Sequence, residues 1–323
     1  MNHNNINRPA SLSIVIPCYN EEEVLPETVA QLTVLMREME HEQLIAPDSA
    51  IWFVDDGSKD KTWALIEDYV VSNHYIRGIK LARNRGHQNA LLAGLETATG
   101  DVLISIDADL QDDIQVIKRM MIEHYKGIDI VYGVRKARST DTVFKRMSAE
   151  GYYHLLSKMG VNIVFNHADY RLMSRRAIES LKQYEEVNLF LRGIIPTIGF
   201  PSSTVEYDRA ARFAGESKYP LKKMLALAAD GITSFSAVPL RLIAGLGFFI
   251  FLMSLGLSFW VFFVKLFTDN ATPGWASSVL PMYLLGGIQL LSIGVLGEYI
   301  AKMYMETKKR PRYFLDKVIT PNK

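Results

Sequence analysis

Val102-Leu103-Ile104-Ser105-Ile106-Asp107-Ala108-Asp109 is the stretch that decides the reading of this chain. Its mostly apolar run, short and bounded by polar residues, reads as a buried strand. Directly after it stand two carboxylates at i and i+2, which can point toward one cleft and share a divalent cation while the chain turns. Such a site suits a nucleotide diphosphate bridged by Mg²⁺ or Mn²⁺. Asp-x-Asp also occurs in plain turns, where Asp is favoured for local hydrogen bonding, so the segments around it have to decide.

Upstream, strand-like and helix-like segments alternate. Ser11 to Pro17, Ile51 to Val54 and Ile76 to Leu81 read as strands before Val102 to Ile106, and Ile128 to Tyr132 as a fifth. Helices are expected from Asn20 to about Glu40, from a cap at Ser58 or Asp60 to about Ser72, and over Gln88 to Thr97 and Ile114 to Tyr125. This alternation predicts an α/β domain with a parallel sheet and helices on both faces. In such sheets ligands bind beyond the carboxyl ends of the strands. Polar clusters sit at those ends: Cys18-Tyr19-Asn20-Glu21, Asp55-Asp56, Arg83-Asn84-Arg85-Gly86 and Asp107-Ala108-Asp109. No Gly-x-Gly-x-x-Gly or Gly-Lys-Ser/Thr motif follows a strand, which disfavours dinucleotide and P-loop chemistry.

Composition narrows the class further. With 36 Lys and Arg against 35 Asp and Glu the net charge is +1, which argues against a nucleic-acid partner. The single cysteine, Cys18, rules out an internal disulfide and fits a reducing compartment. Residues 1–10 are polar, without an apolar core of signal-peptide length, and read as a loose tail.

Taken together and in order, Ile14-Val15-Ile16-Pro17-Cys18-Tyr19-Asn20-Glu21, Val54-Asp55-Asp56-Gly57-Ser58, Asn84-Arg85-Gly86 and Asp107-Ala108-Asp109-Leu110-Gln111-Asp112 resemble the family 2 inverting glycosyltransferases of GT-A type. More narrowly they resemble the polyisoprenyl-phosphate glycosyltransferases, which include dolichyl-phosphate mannose synthase and the bactoprenol glucosyltransferases. One departure is Asp113-Ile114, where bacterial members usually carry two prolines. The resemblance implies a GT-A, Rossmann-like nucleotide-sugar domain with a mainly parallel sheet over 11–217. Pro17, Tyr19 and Glu21 would border the nucleoside, and Asp55 would accept a hydrogen bond from uracil. Asp107 would touch the ribose or the water shell of the metal. Asp109 would ligate the metal, with Gln111 assisting; oxygen donors of this kind suit Mg²⁺ or Mn²⁺ rather than zinc.

Asn166-His167-Ala168-Asp169-Tyr170-Arg171-Leu172 matches the stretch around the acceptor-side aspartate of that family. A general base is the usual assignment there. A phosphate monoester has its second pKa near 6 and is mostly a dianion at neutral pH, so Asp169 could instead orient the acceptor or balance nearby arginines. His167 beside it reads as structural. Arg212-Phe213-Ala214-Gly215-Glu216-Ser217-Lys218-Tyr219 resembles the mobile loop that closes over the diphosphate; Arg212 and Lys218 would supply charge and Ser217 a hydroxyl.

The remainder points to a membrane. Arg135 and Arg138 precede a basic amphipathic segment, 142–159, that fits either an interfacial helix or a helix packed on the sheet. The resemblance favours the interface and makes both arginines acceptor-phosphate candidates. A second interfacial helix is expected over 218–240. Leu242 to Val264 and Ala276 to Gly297 carry no charge, and each is long enough to cross a hydrocarbon core of about 30 Å, so 241–300 is expected to form a two-helix transmembrane hairpin. Basic flanks on both sides, ending in the tail 301–323, predict that the catalytic domain and both termini are cytoplasmic; the two-span ending resembles the bacterial branch of the family, which implies a bacterial inner membrane. Gly286, Gly287, Gly294 and Gly297 would allow close packing between the spans or within a homo-oligomer.

The expectation is a glycosyltransferase that moves a sugar from a UDP-sugar to polyprenyl (undecaprenyl) phosphate for envelope glycans such as lipopolysaccharide O-antigen. Glucose leads, with galactose, N-acetylglucosamine or an aminoarabinose derivative open. A processive synthase would carry Gln-x-x-Arg-Trp and more spans, neither of which is present. A non-catalytic scaffold or lipid-translocation partner would be expected to lose Asp107 or Asp109.

Overall fold

A computed structural model describes residues 8–135, 167–187, 190–208, part of 240–267, and 275–321. The chain divides into two compact units. Residues 1–154, 162–220 and 309–323 form the first, and 155–161 with 221–308 the second.

The first unit carries an eight-stranded sheet. Its strands are β1 (Leu12–Cys18), β2 (Ala50–Asp55), β3 (Ile76–Leu81), β4 (Val102–Ser105), β5 (Ile130–Arg135), β6 (His167–Ser174), β7 (Ser202–Tyr207) and β8 (Leu315–Ile319). The spatial order is β7-β5-β6-β4-β1-β2-β3-β8. Every residue of β1 and β2 is buried, as expected of parallel strands covered on both faces. Helices α1 (Leu25–His41), α2 (Thr62–Ser72), α3 (His87–Thr97) and α4 (Val116–Tyr125) connect the successive strands β1 to β5. Two short helices, α5 (Arg175–Leu181) and α6 (Leu191–Thr197), follow β6.

The sheet is mainly parallel, with two reversals that the sequence reading lacked. β6 runs antiparallel between β4 and β5, so β4 and β5 are not neighbours. β8 adds antiparallel to β3, so residues expected only as a basic tail close the sheet edge. β7, at the opposite edge, alternates exposed and buried residues toward its end.

Two expected helix starts move inward for a shared reason. Asn20 adopts φ of 56°, and the turn after it is stapled to the loop following β2. Asn20 Oδ1 accepts from the Lys59 amide at 2.8 Å, and the Asn20 and Glu21 amides donate to Ser58 Oγ and Thr62 Oγ1 at 2.9 Å. These loop-to-loop bonds satisfy polar backbone that a longer helix would otherwise have paired. Asp60 Oδ1 accepts from the Thr62 amide at 3.0 Å, so Asp60 serves the start of α2, not Ser58.

The second unit contains α7 (Trp275–Lys308), a 34-residue helix. Several of its residues are described only as helical backbone. Among the described residues no helix is long and apolar enough to cross a membrane. Large apolar side chains of this unit are nevertheless exposed, among them Phe248, Phe249, Trp260, Met282 and Ile293. The expected interfacial helices at 142–159 and 218–240 lie outside the described residues, except for the helical Leu240 at the end of the second.

Candidate active site at the sheet edge

Strands β1 to β5 and β7 point the same way, and their carboxyl ends form one edge. Because β6 runs the other way, its beginning lies at that edge too. The pairing of Ser105 with Arg171 places the end of β4 beside the start of β6. Asp107 and Asp169, 62 positions apart in sequence, are thereby brought to a single histidine. His87 Nε2 stands 3.6 Å from Asp107 Oδ1 and 3.6 Å from Asp169 Oδ2.

His87 reaches this position through its loop. Asp56 is buried and accepts from the Arg85 amide at 2.6 Å and the Gly86 amide at 2.8 Å. Gly86 has φ of 88°, a conformation in which glycine avoids the strain of a side chain, and α3 begins with the next residue. Gly57 lies under the same loop, where a Cβ would sit 2.7 Å from the Asn84 amide nitrogen. Gln88 Oε1 accepts from the Leu191 amide at 3.0 Å, which ties α3 to the start of α6.

Asp169 is held by three side chains. Arg171 donates Nη2 to Oδ1, and Arg192 donates Nε to Oδ1 at 3.3 Å and Nη2 to Oδ2 at 3.1 Å; His87 is the third. Burial alone would raise the Asp169 pKa, but His87 and the two guanidinium charges outweigh it and hold the carboxyl well below its usual range. For His87, burial opposes the charged ring, yet Asp169 and Asp107 prevail and raise its pKa. Arg171 is almost fully buried, with Nε and Nη1 lacking partners, and burial lowers its pKa.

At the end of β4 the residues fit a hard divalent cation. The donors are carboxylate oxygens. Burial, followed by the charges of Asp169, Asp112 and Asp109, outweighs the attraction of His87 and raises the Asp107 pKa; a cation would offset that repulsion. Asp109 Oδ1 accepts from the Gln111 amide at 3.2 Å across a turn in which Leu110 takes φ of 54°, a strained conformation for such a residue. Gln111 itself is buried. Among the described residues no three His, Cys, Asp or Glu side chains form a ready-made metal cage. Mg²⁺ sites commonly combine one or two carboxylates with waters and substrate phosphates.

The nucleoside-side residues lie along the same edge. Pro17 is buried within β1, Tyr19 is exposed, and Glu21 is half-buried. Asp55 is fully buried; its Oδ1 accepts from the Ser58 amide at 3.2 Å, while Oδ2 has no partner. Burial raises its pKa, partly offset by Ser58. An unpaired buried oxygen is costly, so this carboxylate is arranged to meet a donor.

Arg135, expected at the acceptor phosphate, is part-exposed at the end of β5 and paired within its own domain. It donates Nη2 to Asp112 at 3.1 Å and Nε to the Tyr207 hydroxyl at 3.2 Å, and that hydroxyl donates to Asp112 at 2.6 Å. The asparagine-to-leucine stretch 166–172 places Asp169 as described, with the His167 side chain outside the described residues. Arg138, Arg212, Ser217 and Lys218 also lie outside them. His87 and Arg192 are the site residues that sequence reasoning missed. His87 directly follows the Arg83–Gly86 cluster, and Arg192 is a lone charge within Phe190-Leu191-Arg192-Gly193-Ile194-Ile195.

Comparison with known proteins finds relatives along nearly the whole chain. Residues 13–182 match the family described as glycosyl transferase family 2. The chain is 53% identical over 307 residues to an uncharacterized glycosyltransferase, YkoT, of Bacillus subtilis, covering 94% of this chain and 91% of the relative. It is 42% identical over 305 residues to a bactoprenol glucosyl transferase of Shigella phage SfX, covering 94% and 98%. A prophage bactoprenol glucosyl transferase homolog of Escherichia coli is 41% identical over 308 residues, covering 95% and 99%.

Proposed function

The chain belongs to glycosyl transferase family 2, and on that premise we propose that it transfers a glucosyl group from UDP-glucose to a polyprenyl phosphate. The observation that carries the reading is the convergence on one sheet edge of the unpaired Asp55 oxygen, the Asp107 and Asp109 carboxylates and the Asp169 cluster. The bactoprenol glucosyl transferases, similar along nearly their whole length, support the sugar and the lipid class.

In the reaction a phosphate oxygen of the acceptor forms a bond to the anomeric carbon from the face opposite UDP. The bond to the UDP oxygen breaks, that oxygen keeps the electron pair, and the configuration inverts. Asp55 Oδ2 accepts the uracil N–H, and Pro17, Tyr19 and Glu21 border the nucleoside. Asp107 and Asp109 would hold Mg²⁺ or Mn²⁺, which supplies charge neutralisation for the departing diphosphate. Arg212, Ser217 and Lys218 are assigned to a loop over the phosphates, and Arg138 to the membrane side of the acceptor.

The membrane assignment belongs to the same proposal. The uncharged segments 242–264 and 276–297 are taken as a transmembrane pair, supported by their length and by the exposed apolar side chains of that unit. The sheet supports an even number of crossings, since β8 follows these segments and pairs with β3, which keeps both ends of the first unit on one side. Basic residues flanking the pair favour the cytoplasmic side of a bacterial inner membrane, and the glycines of 286–297 leave room for a homo-oligomer.

The test is transfer by the purified full-length protein to undecaprenyl phosphate with Mg²⁺ or Mn²⁺ and a panel of UDP-sugars, the lipid product being identified by mass. A hexosyl product from UDP-glucose is expected. A product from another donor alone would correct the sugar. No product from any donor, with UDP still bound, would refute the transfer to this lipid.

A further inference from the structure

We propose that Arg312 and Tyr313, in the segment that follows α7, are positioning residues for transfer: they brace α3 and α6, the two helices that bring His87 and Arg192 to Asp169. The inference rests on the transfer reaction above and names residues that act on it through those helices.

Two residues of the C-terminal segment turn inward. Residues 307–311 and 314–318 are exposed, whereas Arg312 and Tyr313 between them are half-buried, and only 14% of the Arg312 side chain is exposed. Both engage the last turn of α3. Tyr313 donates its hydroxyl to Glu96 Oε2, and Arg312 Nη1 lies 3.8 Å from Glu96 Oε1. A carboxylate at that end meets the negative end of the helix dipole, so the helix alone disfavours Glu96 and the two donors compensate it. The same segment holds the loop that enters α3. Arg85, two positions before His87, donates Nη2 to the Pro311 carbonyl at 3.1 Å, and the Ala82 amide donates to the Phe314 carbonyl at 3.0 Å.

Arg312 also reaches toward α6. Its Nη2 donates to the Tyr184 carbonyl, and the Tyr184 hydroxyl bonds Thr197 Oγ1, on the last residue of α6, at 3.0 Å. At the start of α6 the Leu191 amide donates to Gln88 of α3. The two helices are therefore joined at both ends, directly at their starts and through Arg312 and Tyr184 at their finishes. His87 and Arg192 stand at the directly joined end, 3.6 Å and 3.1 Å from Asp169 Oδ2. A tilt of either helix about that joint would draw one of them from the carboxylate, and the contacts of Arg312 at the far end resist it. Hydrogen bonds weaken steeply with such misalignment.

The experiment is steady-state transfer from UDP-glucose to undecaprenyl phosphate by the full-length protein in lipid nanodiscs. UDP affinity, Tm and hydrogen exchange over residues 83–90 are measured on the same samples. Arg312→Ala and Tyr313→Phe should each lower kcat roughly tenfold, speed exchange over 83–90 and leave UDP affinity unmoved. Glu96→Gln, which keeps an acceptor for the Tyr313 hydroxyl, should retain most of the kcat that Glu96→Ala loses. Lys317→Ala, which breaks the pair with Glu67 elsewhere in β8, should leave kcat unchanged. Normal kcat in Arg312→Ala and Tyr313→Phe, whatever Tm does, would confine these residues to closing the sheet edge and overturn the proposal. So would an equal loss of kcat in Lys317→Ala, the mark of general destabilisation. Should the Arg312 variant fail to fold, Tyr313→Phe, which loses a single hydroxyl, decides. A wild-type protein that binds UDP but transfers nothing would defeat the transfer reading itself; exchange over 83–90 in Tyr313→Phe would then decide the brace, and unchanged exchange would overturn it.

Discussion

Replacing Gly94 with Ala tests how tightly α3, which carries His87, is seated on the sheet. A Cβ at this position would lie 2.3 Å from Val15 Cγ1 and 2.7 Å from Val54 Cγ2. Both valines are fully buried in β1 and β2, and β-branched side chains in strands have few alternative rotamers. The helix must then shift outward or the valines must leave their rotamers, at about 1–3 kcal/mol. Alanine returns about 1 kcal/mol through its better helix propensity. The contact is severe, so the upper part of the range applies and the net loss is about 1–2 kcal/mol, or a fall in Tm of about 2–8 °C for a domain of this size. The assay is a thermal melt of purified protein by circular dichroism, with transfer measured alongside. Because His87 begins the helix and moves with it away from Asp107 and Asp169, transfer should weaken too. An unchanged or higher Tm with normal transfer would refute the packing argument.

Three further outcomes are expected. Asp55→Asn keeps an acceptor for the Ser58 amide but removes the charge that would receive the uracil N–H. UDP affinity should therefore fall about tenfold or more by calorimetry, and an unchanged Kd would dismiss the uracil contact. Asp109→Ala should reduce transfer by at least about a hundredfold with little change in Tm; full activity in that variant would remove the metal assignment. Asp129 is opposed by burial but held low in pKa by Arg176 and Ser174, so its stabilisation is present above an unfolded value of about 3.9 and is lost as pH falls through its lower folded value. Asp129→Asn should thus flatten the acid limb of a Tm-against-pH curve below about pH 4, and an unaltered limb would argue against that pair.

Sequence reading succeeded where structure is local. The run Ile76 to Leu81 forms β3 with the expected bounds, and the acidic pair after β4 lies where a parallel strand must end. It was less accurate at helix starts, because Asn20 and Ser58 spend their hydrogen bonds on each other's loops. It stopped short at β6, where Asp169, Arg171 and Ser174 interrupt the apolar pattern. Arg135 shows the same limit: its charge suggested a phosphate, and only the approach of β7 revealed Asp112 and Tyr207 as its partners.

By itself the sequence determined the α/β alternation, the acidic residues at the strand ends and the family, because buried strands and their terminal carboxylates are written in consecutive residues. Tertiary structure decided what those carboxylates face. The reversal of β6 brings Asp169 to the edge that β4 already occupied, and the loop held by Asp56 delivers His87 between them. Strand direction and loop closure depend on pairings between residues tens of positions apart, and no local pattern in the chain records them.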